Sequence, residues 1–135
     1  MTAKTANGET AVNNFSVNIV ETSKELTPKE RVQIKDLSDT IKLEGLIKTE
    51  PVIIEVDWYA VLEVHNEKAE NPDYTNYIIV AKDGRRFRTG SQTFFNSFKM
   101  IADEMLGIDE EWKLKIYELP SKQREGKTFI TCSVI

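Results

Sequence analysis

The sequence predicts a mainly β chain, a small five-stranded barrel with one helix and an N-terminal extension, and three observations carry that prediction. Apolar and polar residues alternate along VIIEVDWYAVLEVHN, the period of a long strand with one buried face. Asp83-Gly84 joins two strand-like runs at hairpin spacing. One apolar stripe of helical period, in SQTFFNSFKMIADEML, falls after the third strand-like run and before the fourth.

Residues 1–14 are small and polar with no apolar period, which predicts a flexible arm. Residues 15–50 are an extension with a short helix. Phe15, Val17 and Ile19 alternate with Ser16, Asn18 and Val20, as in a short strand. Thr27-Pro28-Lys29-Glu30 combines a capping threonine, a proline suited to the first helical position and a glutamate that closes a capping box, so a helix starts there. Ser38 to Thr49 has no clean period, and Gly45 breaks it in the middle.

Residues 51–135 are the barrel domain. In its first strand Ile54, Val56, Trp58, Ala60, Leu62 and Val64 face inward, and Glu55, Asp57, Tyr59, Glu63 and His65 face outward. After the loop EKAENPDYTN come TNYIIVAK and RRFRT, joined by Asp83-Gly84 in a two-residue type I′ turn that needs positive φ at both positions. Ser91 caps the helix, Phe94, Phe95, Phe98, Ile101, Ala102, Met105 and Leu106 form its stripe, and Gly107 ends it. EWKLKIYEL sets Trp112, Leu114 and Ile116 against Lys113, Lys115 and Tyr117; the loop PSKQREGK then leads to TFITCSVI. The order β-β-β-α-β-β is that of the OB-fold, a five-stranded Greek-key barrel. Its helix plugs one end, with Trp58 and Trp112 among the inward residues. A plain α+β sheet with one packed helix is the other architecture this order allows.

At 135 residues the chain has room for one core, and 40% hydrophobic with 30% charged residues suits a globular protein. There is no apolar run of the roughly 18 residues a membrane span needs, and MTAKTANGETAVNN lacks the apolar centre of a signal peptide. A cytoplasmic protein without a membrane partner is expected. The single Cys132, in register with Ile130 and Val134, reads as a buried small apolar residue. His65 stands alone at a strand end, Glu55, Asp57 and Glu63 make a solvated strand face, and no phosphate-loop, dinucleotide or G-x-S-x-G pattern occurs. The reading is therefore no enzyme, no cofactor and no metal.

Charge points to a different kind of function. The net charge is -4, yet residues 1–74 hold 8 Lys/Arg against 14 Asp/Glu while residues 75–135 hold 10 against 8. The excess of cations gathers in KDGRRFRTG and PSKQREGK. An OB barrel binds oligonucleotides across its second and third strands and the adjoining loops. Single strands need cations for phosphates and flat side chains for bases. Lys82, Arg85, Arg86 and Arg88, with Lys122, Arg124 and Lys127 from the last loop, are the candidate cations; Tyr77 and Phe87 are the candidate stackers, with Tyr59 and Tyr117 behind them. Alternation divides the hairpin, placing Arg86 and Arg88 on one face and Arg85 and Phe87 on the other. Cations on an exposed hairpin also block edge-to-edge pairing, and a solvated edge is the plain alternative.

The stretch from YIIVAKDGRRFRTGSQTFFNSF through LKIYELPSKQREGKTFITCSVI resembles the small OB-type single-stranded-DNA-binding proteins of phages and conjugative plasmids of Gram-positive bacteria. The resemblance covers about residues 51–135 and rests on element order, the basic hairpin and the Pro-Ser-Lys loop. It implies a non-catalytic role in phage or plasmid DNA replication or transfer, with single-stranded DNA as partner and RNA left open. The acidic tail of housekeeping single-strand binders has no counterpart, because the chain ends in ITCSVI. The rival class is a protein-interaction module or modulator encoded by a mobile element. A homodimer through residues 1–50 is a further expectation, motivated by apolar residues the barrel does not require.

Overall fold

The computed structural model describes residues 15–135; the arm expected over residues 1–14 lies outside them. Strand outweighs helix, 42% to 23%, and the strands form two sheets. In chain order the elements are β1 (Phe15–Thr22), α1 (Pro28–Ile34), a 3-10 turn (Leu37–Asp39), β2 (Ile41–Lys42), α2 (Leu43–Leu46), β3 (Val52–Ile54), β4 (Val56–Asn66), β5 (Asp73–Ala81), β6 (Arg86–Thr89), α3 (Gln92–Met105), β7 (Leu114–Pro120) and β8 (Thr128–Val134). The first sheet runs β1-β4-β5-β6-β2 and the second β3-β7-β8.

Local chemistry sets the helix ends. The Thr27 hydroxyl accepts the Glu30 amide at 3.2 Å while the Glu30 carboxylate accepts the Thr27 amide at 2.9 Å, a complete capping box with Pro28 in the first turn. The Ser91 hydroxyl accepts the Phe94 amide at 3.1 Å and starts α3. Leu106 closes that helix, followed by Gly107 at φ +85°, which a residue without Cβ adopts at least cost. Gly45, expected to interrupt its segment, lies inside the single turn of α2.

The five strands expected over residues 51–135 all form, and they pair in an open series. β3 and β4 are two parts of one bent strand with Glu55 between them; β3 pairs antiparallel with β7 and β4 with β5. β5 pairs with β6 and β7 with β8, both antiparallel. Closing this series into a barrel requires β6 to pair with β8. The corresponding edge of β6 is occupied instead by β2, in parallel register Ile41↔Phe87 and Lys42↔Arg88, and neither sheet closes into a barrel. A two-residue strand from the extension thus stands where the barrel would shut.

The long strand departs from the expected single buried face. The ladder between β4 and β5 shifts register between Val56 and Trp58, and such an irregularity turns the following side chains to the opposite face. Ile54 and Val56 join the main core, but Trp58, Ala60 and Leu62 join a second one on the other side of the sheet. Tyr59, expected outside, is in the main core, as is Val61. Both faces of β4 are buried because each has a cover. On one side lie α3, with Phe94, Phe95, Phe98 and Ala102, and the second sheet, with Leu114, Ile116, Ile130 and Cys132. On the other lies the extension, with Val17, Ile19, Leu26, Ile34 and Leu37 packed against Trp58, Ile78 and Val80. Trp58 and Trp112 therefore do not share one interior; Trp112 is half-buried against the main core. Burial holds the Cys132 thiol up to about 12.

Residues 15–50 are integral to this packing. β1 extends the first sheet along β4, with a bulge at Val20, and Leu43 and Ile47 enter the main core. The apolar side chains that motivated a dimer through this segment are thus largely used within the chain. No helix among the described residues is long and apolar enough to cross a membrane.

Candidate nucleic-acid interface

The basic hairpin is the first candidate, and its turn differs from the two-residue form. The Gly84 amide donates to the Ala81 carbonyl at 2.9 Å and the Ala81 amide to the Arg85 carbonyl at 2.8 Å. Lys82 and Asp83 are thereby the centre of the turn, with Gly84 following at φ +93°, the pattern of a three-residue hairpin loop with a left-handed glycine. The Asp83 carboxylate accepts the Arg85 amide at 3.0 Å and Arg85 Nε at 2.7 Å. The bond from the Arg85 backbone, with that arginine's charge, holds the Asp83 carboxyl below its ordinary range.

The hairpin's two strand arginines face the extension. Arg86, its side chain 17% exposed, donates to the Gln33 carbonyl and, at 3.4 Å, to that of Asp36, with the Asp39 carboxylate 3.5 Å away. These carbonyls lie at and just beyond the end of α1, where a helix favours a cation; that of Gln33 also accepts the Asp36 amide at 3.1 Å. Arg88 Nε donates to the Thr40 hydroxyl at 2.9 Å. Two of the four hairpin cations therefore fasten residues 33–40 to the sheet. Among the candidate stackers, Phe87 is fully buried and Tyr77 is buried against Phe95, ring centroids 4.4 Å apart and nearly parallel. Both are core residues and offer no face to a base. The expected surface across the second and third barrel strands is thus filled by α3 on one side and covered by the extension on the other. Lys82 and Arg85 stay exposed at the hairpin tip.

The last loop is arranged differently. Lys122, Arg124 and Lys127 are exposed, and among the described residues none has a carboxylate within ion-pair distance. The Ser121 hydroxyl accepts the Arg124 amide at 3.2 Å and the Ser121 amide donates to the Lys127 carbonyl at 2.8 Å, which defines the loop's return. At its base Leu119 and Phe129 are cross-strand partners, 41% and 38% exposed. Together with Thr93 from α3 they line a concavity of about 970 Å³ ringed by the three cations. Glu125 is the carboxylate within the loop. Phe129 was legible in the sequence: it shares strand parity with Thr131 and Ser133, opposite to the buried Ile130 and Cys132.

Tyr117 lies on the same outward face. Its hydroxyl and that of Ser133 are 2.7 Å apart, and Lys115 Nζ is 5.5 Å from its ring centroid. The ring is held against the strand surface, half-exposed. The structure therefore sets Tyr117 on the strand face that leads to Leu119 and the loop's base, on a different sheet from Arg86, Arg88, Phe87 and Tyr77. No family model, no curated protein and no solved structure matches the chain.

Proposed function

We propose that the protein binds single-stranded nucleic acid, DNA in the first instance, without catalysis, and that contact centres on the β7–β8 ribbon and its loop. The observation that carries this reading is the exposed Leu119–Phe129 pair ringed by Lys122, Arg124 and Lys127. Bases need an apolar or aromatic platform and phosphates need free cations, and this is where both occur together. The strand series also supports an OB-like ancestry, as an opened barrel: a bent first strand divided between two sheets is how such folds turn a corner, and the loop joining the last two strands is one of the usual contact loops. A role in the replication or transfer of phage or plasmid DNA follows from the same reading.

Fluorescence anisotropy of a labelled oligo(dT) of about 30 nucleotides, with a duplex control, tests the proposal. The expected result is saturable binding that prefers the single strand and weakens with salt, with the loop contributing a slope near 2 in log Kd against log salt for three phosphates. Lys122→Glu with Arg124→Glu and Lys127→Glu is expected to abolish it. Absence of binding at low salt would overturn the reading. It would favour a protein-interaction module, for which the exposed Leu119, Phe129 and Ile53 supply an apolar contact.

A further inference from the structure

We infer that the single strand follows one track along the outward face of the second sheet, from the β7–β8 loop to the tip of the β5–β6 hairpin, with Tyr117 as a stacking platform between two cationic ends. This rests on the reading above and adds the route, the far end and the polarity of roles along it.

Three features carry it. First, register makes the face continuous: Ile53 lies opposite Lys115, Lys115 opposite Ser133, Tyr117 opposite Thr131 and Leu119 opposite Phe129. All belong to the outward parity, since Leu114, Ile116, Ile130 and Cys132 of the other parity are in the core. Second, the hairpin tip reaches this face. Lys82, Asp83 and Arg85 share a cavity of about 140 Å³ with Ile53, Glu55 and Lys113, and the Lys82 amide donates to the Glu55 carbonyl at 2.9 Å. The exposed half of the hairpin is thereby joined to the second sheet. Third, charge is complementary to a polyanion at both ends: among the described residues no carboxylate lies within ion-pair distance of Lys82 or Lys113 at one, or of Lys122, Arg124 or Lys127 at the other. Arg85 is paired with Asp83; Glu55 lines the cavity at the hairpin end, and Glu125 lies within the loop at the other.

From Lys113 to Ser121 the strand spans about 27 Å at a rise of about 3.4 Å per residue. That accommodates about eight nucleotides at the stacked spacing of about 3.4 Å, and fewer when extended. Tyr117 and Phe129 are diagonal neighbours on the ribbon, about 7 to 8 Å apart at the backbone, so each can hold its own base.

The test compares affinity and salt dependence for oligo(dT) of about 30 nucleotides in five forms of the full chain: wild type, Lys82→Ala with Lys113→Ala, Tyr117→Ala, Tyr117→Phe, and the triple loop reversal. The far-end pair is expected to lower the salt slope by about 1.4, the value for two phosphate contacts on a single strand. Tyr117→Ala is expected to weaken binding at least fivefold with the slope unchanged, as for one lost stacked base. Tyr117→Phe, which keeps the ring, is expected to stay near wild type and separates stacking from folding. If the loop reversal abolishes binding while the far-end pair and Tyr117→Ala match wild type, the track is wrong and the loop-centred reading stands. If wild type does not bind, or the loop reversal binds as wild type does, both are wrong.

Discussion

Arg85 and Arg86 are adjacent and chemically identical, yet their side chains have opposite surroundings. Arg85 is at the exposed tip, closing a short ring with Asp83, whereas Arg86 fills carbonyls at the end of α1. Strand alternation separates them, and of the two it is Arg86 that is bonded to the extension. A charge-assisted hydrogen bond contributes about 1.5 to 3 kcal/mol when one partner is removed. Arg86→Ala is accordingly expected to lower unfolding stability by about that amount, read as a shift of the urea midpoint, with oligo(dT) affinity of the folded protein retained. A variant that loses DNA affinity at unchanged stability would place Arg86 in the contact surface instead.

The turn between β4 and β5 is an element held by a titrating contact. His65 and Asp73 face one another in the ladder, with Nδ1 2.7 Å from the Asp73 carboxylate and the Glu67 carboxylate 3.6 Å from Nε2. The hydrogen bond to Asp73 leads in raising the imidazole above its ordinary 6.5, and Glu67 adds to it. A folded value above the unfolded one means that the contact stabilises fully below 6.5 and that this contribution disappears as pH rises through the folded value. Proton NMR is expected to show the imidazole of His65, the single histidine, titrating above 6.5, and Asp73→Asn is expected to bring it down. The stability difference between wild type and Asp73→Asn is then expected to shrink with increasing pH; a difference that grows would reverse the assignment. Elsewhere at this scale the helix signals were plain in sequence, because a cap such as Thr27 or Ser91 acts within three residues. The bulge at Asp57 was not, since its effect is to redirect Trp58, Ala60 and Leu62 toward a cover that lies some thirty residues earlier.

Across the whole molecule, the extension covers the second core, which β4 and β5 mostly build, and supplies part of the first. Ile34, Leu43 and Ile47 are buried, the Tyr59 hydroxyl donates to Glu21 at 2.7 Å, and Lys99 of α3 reaches the same carboxylate at 2.7 Å. The Lys99 bond, with that of Tyr59, holds the Glu21 carboxyl below its ordinary range, while burial first and Glu21 second push Tyr59 up to about 12. Removing residues 1–50 would expose Trp58, Leu62, Ile78 and Val80 and free the β6 edge. Each fully buried side chain of this size contributes about 1.5 to 3 kcal/mol, a large fraction of a domain's net stability of about 5 to 15 kcal/mol. The chain 51–135 is therefore expected to lack a cooperative thermal transition by circular dichroism, where the full chain has one. A sharp transition in the truncated chain would show that residues 51–135 fold alone.

The sequence by itself determined the mainly β character, the capped helices, the five strands of residues 51–135 and the exposure of the last loop's cations, because each follows from periods and caps acting over a few residues. It also carried the parity that puts Tyr117 and Phe129 on one face. Tertiary structure alone decided which candidate cations are free. Arg86 and Arg88 read like Lys122 and Arg124 as charges, but their hydrogen-bond acceptors lie 48 to 53 residues away. It alone also set the partner of β6, since the edge that a closed barrel would pair with β8 is taken by β2 and no local pattern in either strand records that pairing.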